Sequence, residues 1–364
     1  MKISEVINQL EDLAPPSLQE TYDNSGLIVG NSNTELSGVL LCLDSTEAIV
    51  EEAIQNGHNL IVAHHPIVFS GLKSLTGKNY IERTLLKAIK NDIAIYAIHT
   101  NLDNVAEGVN KMIAEKIGLN NVRILSPKSS ILKKLVFFCP TNETERVRQT
   151  LFTAGAGTIG KYDSCSFNTS GIGTFRANEG TAPFVGEIDE LHEEKESRIE
   201  MIIPAFKEKA VILALLKSHP YEEVAYDVYP ISNEWNQVGS GMIGELENPI
   251  PTKEFLSNLK ESLNTDCIRH TKLVKENIQK VAICGGSGSF LLNKTIAQKA
   301  DIFITADFKY HQFFDADEKI IIADVGHYES EQYTPALIQR YLQEKIPNFA
   351  VHLTKINTNP INYI

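Results

Sequence analysis

Residues 61–70 read Ile-Val-Ala-His-His-Pro-Ile-Val-Phe-Ser, IVAHHPIVFS, and the fold can be worked out from them. The run from Leu60 to Val62 is apolar and β-branched, which predicts a buried strand. Neighbouring side chains of a strand point to opposite faces, so His64 and His65 are not expected to serve one site from mid-strand. Pro66 lacks an N–H and ends regular pairing, which predicts that the pair sits where the strand turns into a loop. Two imidazoles placed there can converge on a metal, provided other strand ends bring partners.

Two further strand ends carry such groups. Residues 92–99, DIAIYAIH, form a predicted strand that runs into His99, Thr100, Asn101 and Asp103. Residues 319–324 form another, closed by GHYESE, where His327 and Glu331 are four apart and share a face if a helix opens there. In open α/β sheets ligands gather outside the carboxyl ends of the strands, so these clusters are expected to meet in one crevice. Histidines with carboxylates suit Zn, Fe or Mn, and a bridging carboxylate allows more than one ion. Asp44 and His99 either orient the ligand imidazoles or cap strand ends. Asp307 and His311 either line the crevice or begin an exposed helix. Gly285–Gly288 either offers N–H groups to a phosphate or makes a plain turn; no GK[ST] follows, so it is not a Walker A loop. His219 and Glu222 are assigned to a structural turn, Trp235 to a packing anchor, and Cys284 to a small hydrophobe.

Residues 1–130 alternate β-α-β-α-β-α, which predicts parallel strands with crossover helices, and residues 236–364 resume that style. Between them, residues 131–235 read β-α-β-β-α-β, a ferredoxin-like split unit, with 233–244 as the linker back. The fold class is therefore α/β, with a core built from both chain ends and an inserted α+β domain. The length of 364 residues calls for two or three domains. A net charge of −12 without a Lys/Arg-rich run argues against a sequence-independent grip on nucleic acid. Residues 1–16 suggest an acidic amphipathic helix, not a signal peptide, and no apolar run reaches membrane-spanning length. Five cysteines without a CxxC pair suit a cytoplasmic protein.

ETYDNSGLIVG at 20–30, AHHP at 63–66, HTNLD at 99–103, DFKYH at 307–311 and GHYESE at 326–331 occur in one order along both flanks. In this the chain resembles the GTP cyclohydrolase I type 2 homologues, also called the Nif-three-like family. The resemblance implies a dinuclear metal centre with His64, His65, Asp103, His327 and Glu331 as ligands to two divalent transition-metal ions. It also implies a mixed-sheet core assembled into a toroidal homohexamer, with the metals facing an internal cavity. KYDSCSFNTSGIGTF at 161–175 and HPYEEVAYDVYP at 219–230 resemble the PII/CutA-like insertion of the longer bacterial members. Tyr22 stands where many members carry Trp, a change expected to affect packing only. The activity implied is hydrolysis of a nucleotide-like substrate, with a metal-bound water attacking C8 of a guanine ring and His99 as proton shuttle. The alternative is a non-catalytic metal-dependent sensor whose PII-like domain binds an effector.

Overall fold

A computed structural model describes residues 1–364, which divide into two compact units: Met1–Ser126 with Gln237–Ile364, and Pro127–Asn236. The first unit contains two sheets. In one, the order is Gly26–Val29, Ala94–Ala97, Leu60–His65, Val39–Asp44, Val351–Leu353. Only the first pair is antiparallel; the other neighbours run parallel. The three inner strands are continuous apolar runs because both of their faces are covered. Helices Glu47–Gln55 and Tyr80–Lys90 start where the sequence supplies a cap. The Thr46 hydroxyl accepts from Ile49 N at 3.3 Å, and Asn79 Oδ1 accepts from Glu82 N at 2.9 Å. Leu40, Ile61 and Ile95 of the strands pack with Ile49 of the first of these helices.

The second sheet has the order Arg269–His270, Ile321–Asp324, Ile302–Ala306, Asn277–Ser287, Glu234–Pro251, Asn120–Ser129. Its middle strands are parallel, and Glu234–Pro251 runs antiparallel to Asn277–Ser287. Phe303, Phe308, Ile243 and Leu125 belong to its core. Both sheets are thus mixed. Residues 233–244 do not form a linker: all but the first lie in a strand. Two of its glycines mark close backbone approach, since a Cβ on Gly244 would stand 2.9 Å from Asn120 O and one on Gly241 2.8 Å from Ile283 O. The strand Asn120–Ser129 was not anticipated, because only Ile124 and Leu125 along it are buried.

In the second unit the elements run Leu132–Pro140, helix Thr144–Thr153, Phe167–Arg176, Leu191–Pro204, helix Glu208–Ser218, Tyr226–Ile231. The sheet order is Phe167–Arg176, Leu191–Pro204, Leu132–Pro140, Tyr226–Ile231, with every neighbouring pair antiparallel. Leu135, Phe137, Ile199, Val211 and Leu215 form its own core. No helix of the protein is long and apolar enough to cross a membrane.

Leu132 and Ile231 are cross-strand partners, so the two ends of this unit emerge side by side. Replacing residues 127–236 by a short Gly/Ser linker should therefore leave a chain that melts cooperatively and keeps its α/β circular dichroism. A non-cooperative, unfolded product would show that the first unit depends on the second.

Candidate metal centre

His64 and His65 are the last two residues of Leu60–His65, still within the ladder, where Asp44 is the cross-strand partner of His65. The strand therefore runs through both histidines, and the loop begins only at Pro66. At the strand's end both rings nonetheless reach one crevice, with centroids 4.9 Å apart. Asp103 closes the short helix Thr100–Asp103 that follows the neighbouring strand. His327 opens and Glu331 closes the helix His327–Glu331, which follows the strand Ile321–Asp324 of the other sheet. Gly326 starts that helix at φ +95, a conformation that L side chains rarely adopt. One oxygen of Glu331, Oε2, lies 2.9 Å from His65 Nε2, 3.1 Å from His327 Nε2 and 3.8 Å from His64 Nε2. Asp103 Oδ1 lies 3.7 Å from His64 Nε2.

Every imidazole around the crevice is tied at Nδ1 to an oxygen. His64 donates to Ile98 O at 2.8 Å, His65 meets Asp44 Oδ1 at 2.7 Å, His99 meets Asp23 Oδ1 at 2.8 Å, and His327 meets Asp307 Oδ2 at 2.7 Å. In its neutral form each ring keeps its proton on Nδ1 and turns the Nε2 lone pair toward the crevice, where an entering cation would take the place of any proton there. Three donor sets have ligand atoms within 4.8 Å of one another: His64, Asp103 and Glu331; His65, His327 and Glu331; His64, His65 and His99. His64 Nε2 and Asp103 Oδ1 are buried without a hydrogen-bond partner. Orphaned buried polar atoms cost about 1–3 kcal/mol each, and a cation between them would remove that cost. The residues present therefore fit a metal ion.

Protonation follows the same charges. Burial works against the charged form of His65, but Asp44 and Glu331 outweigh it and lift its pKa to about 9. His327 is likewise carried past burial, by Glu331 and Asp307, to about 11. Burial also opposes ionisation of Glu331, yet the surrounding histidines hold its carboxyl well below the usual range. Asp103 goes the other way, pushed well up by burial and by the charge of Glu331.

The remaining sequence candidates separate cleanly. Asp44 and Asp307 orient ring nitrogens, the latter from a left-handed backbone at φ 58. His311 packs edge-on against Tyr310 and is not among the cavity-lining residues. Gly285–Gly288 is neither a phosphate loop nor a plain turn. The strand continues to Ser287, Gly286 N donates to Ser330 Oγ at 2.9 Å, and a Cβ on Gly286 would collide with Glu331 Oε1. Cys284 is a buried thiol whose pKa burial raises, as expected of a small hydrophobe. Asp23 was missed: it receives His99 Nδ1 and also Thr100 N at 3.0 Å, but in YDNSG it reads as a turn residue. Tyr22 does more than pack. It is 66% exposed and, with Phe69 and Phe290, lines the 780 Å³ cavity over the cluster.

The Duf34/NIF3 (NGG1p interacting factor 3) family model matches residues 1–360. The chain belongs to this family. A GTP cyclohydrolase 1 type 2 homolog of Halalkalibacterium halodurans is 38% identical, covering 99% of this chain and 98% of that one. One from Bacillus subtilis is 35% identical over the same shares. Among solved structures, a Bacillus cereus protein related to NIF3 superposes with a TM-score of 0.89 at 39% identity, covering 100% of this chain and 99% of that one. A Staphylococcus aureus protein gives 0.78 at 30% identity with the same coverage.

In this NIF3-family chain Asp44 touches the cluster only through His65. Asp44→Ala should weaken divalent-metal affinity about 10–100-fold, read by competition with a chelating dye. Affinity equal to that of the unmodified protein would rule out an orienting role.

Proposed function

We propose that this NIF3-family protein is a dinuclear-metal-dependent hydrolase acting on a nucleotide-like substrate, with His64, His65, Asp103, His327 and Glu331 holding two divalent ions. The observation that carries this reading is the sharing of Glu331 between two donor sets, combined with the unpartnered His64 Nε2 and Asp103 Oδ1. Five protein donors exceed what one tetrahedral ion takes when it must also keep an open position. Zn, Fe or Mn bound there would polarise the substrate and make a water nucleophilic near neutral pH.

The rest of the chemistry falls to the chain. His99 faces the donor cluster with its Nδ1 fixed by Asp23, so its Nε2 is free to take or give a proton. Although burial opposes it, Asp23 is held strongly ionised by its bonds from His99 and Thr100 and steadies His99 when it becomes cationic. Phe69 lies edge-on to His99 at 5.6 Å and, with Tyr22 and Phe290, offers ring faces to a planar base. The names of the curated relatives support a nucleotide as the substrate class.

Three further parts complete the proposal. Residues 131–235 act as an inserted ferredoxin-like, PII/CutA-like domain, supported by the antiparallel sheet order and by a separate core. The chain forms a homohexamer, as its likeness to the Nif-three-like family implies, and the exposed Leu27, Leu72, Leu75 and Ile89 around one depression supply an apolar face for a subunit contact. It works in the cytoplasm, supported by five free cysteines.

Elemental analysis of protein purified without chelator should find about two transition-metal ions per chain. A value near zero in folded protein offered Zn, Mn and Fe would reject the dinuclear reading. Asp103→Asn and Glu331→Gln preserve size while removing charge, and each should lose at least one ion with its circular dichroism unchanged. Wild-type stoichiometry and affinity in both would remove these carboxylates from the ligand set. Full metal loading without turnover of any member of a nucleotide panel would make the centre that of a sensor instead.

A further inference from the structure

The second unit carries a 310 Å³ cavity of its own, half open to solvent and far in chemical character from a phosphate site. Its walls include Phe175, Phe184 and Tyr221. The Phe175 and Tyr221 centroids are 6.0 Å apart with planes tilted by 57°, and those of Phe184 and Tyr221 are 6.3 Å apart, tilted by 54°. Rings tilted in this way do not lie face to face, and all three border the cavity. Glu196, Glu222 and Glu223 line the same space against a single guanidinium, Arg176.

The cavity is held in place from below. His219 is 8% exposed; its Nε2–H donates to Phe138 O at 2.8 Å, and its Nδ1 accepts from Tyr221 N at 3.1 Å. The Tyr221 hydroxyl donates to Glu196 Oε1 at 2.9 Å, which fixes ring and carboxylate together. Gly173 makes room for that carboxylate, since a Cβ there would collide with Glu196 Oε2. Glu222 Oε1 accepts from Ala182 N at 3.1 Å and pins the segment that carries Phe184. HPYEE is thus a structural turn, as expected, but one that presents a tyrosine and a glutamate to a cavity.

We propose that this cavity binds a small organic cation with an alkylated ammonium head. Ring faces attract such a head when it lies within about 6 Å of their centroids, and the carboxylates add charge complementarity. A nucleotide phosphate would meet three carboxylates and one arginine. A bare divalent metal gains nothing from three apolar rings. A primary ammonium would leave the three rings without the apolar methyl surface that an alkylated head lays against them. This site is independent of the proposed hydrolase, and either reading can fail without the other.

Isothermal titration of the full chain with choline and with 3,3-dimethyl-1-butanol, its uncharged isostere, tests the assignment. Choline should bind saturably, with the isostere about tenfold weaker. Phe184→Leu and Glu196→Gln should each weaken choline about three- to tenfold with unchanged circular dichroism. Phe184 is 51% exposed, so its replacement does not endanger folding. Asp103→Asn should bind choline as the unmodified protein does, which separates this cavity from the metal centre. Equal affinity for choline and isostere, no saturation in the millimolar range, undiminished binding by Phe184→Leu, or loss of binding in Asp103→Asn would each overturn the proposal.

Discussion

A carboxylate whose side chain is only 3% exposed, Glu331, has to carry its charge, and much of the first unit is arranged around that requirement. An unpaired buried carboxylate costs several kcal/mol. Here the compensation comes from His65, at the end of a strand of one sheet, and from His327, on the helix that follows a strand of the other, with His64 Nε2 at 3.8 Å. The carboxyl ends of the two sheets therefore have to meet at one point. Gly286 keeps the space beside Glu331 clear, and Ser330 binds the Gly286 N–H, so the strand end and the helix carrying Glu331 are fastened together.

Orientation is solved separately from charge. Each imidazole is clamped at Nδ1 by an oxygen from a different place: the Ile98 carbonyl, Asp44, Asp23 and Asp307. Side chains held in this way lose their rotamer freedom on folding and not on binding. The clamps are themselves clamped. Thr358 Oγ1 donates to Asp44 Oδ2 at 2.7 Å, so the last residues of the chain help to aim His65. Thr100 N donates to Asp23, which ties the helix that ends at Asp103 to the segment holding His99. A metal entering such a cluster finds its donors already placed.

How much of this was legible follows from how each signal is encoded. The inner strands were visible because burial on both faces makes them unbroken apolar runs, and the polar groups ending those runs located His64, His65, His99, Asp103, His327 and Glu331. Helices Glu47–Gln55 and Tyr80–Lys90 each follow a residue whose side chain caps the first turn, Thr46 and Asn79. Elements defined by partners far away in the chain were not legible. Glu234–Pro251 is a strand through its pairing with Asn277–Ser287, a partner that its own local sequence does not announce. Asp23 binds a histidine 76 residues away, and nothing in its own neighbourhood distinguishes it from a turn aspartate. Tyr22 was read as packing because exposure at a cavity wall depends on what surrounds the wall.

The two cavities show one chain meeting the same electrostatic problem in opposite ways. Around Glu331 a buried negative charge is balanced by imidazoles whose Nε2 atoms converge, an environment suited to a small hard or borderline cation that displaces their protons and sheds its water. In the second unit the carboxylates are spread along walls that also present ring faces, and the hydrogen bonds of Glu196 and Glu222 go to the protein itself. Such walls offer positive charge an aromatic surface beside the carboxylates, so they favour a cation that brings its own apolar surface. The two sites would then discriminate between cations by chemistry alone. A divalent ion has little to gain from the rings, and an alkylated ammonium has no vacant orbital to offer the imidazoles.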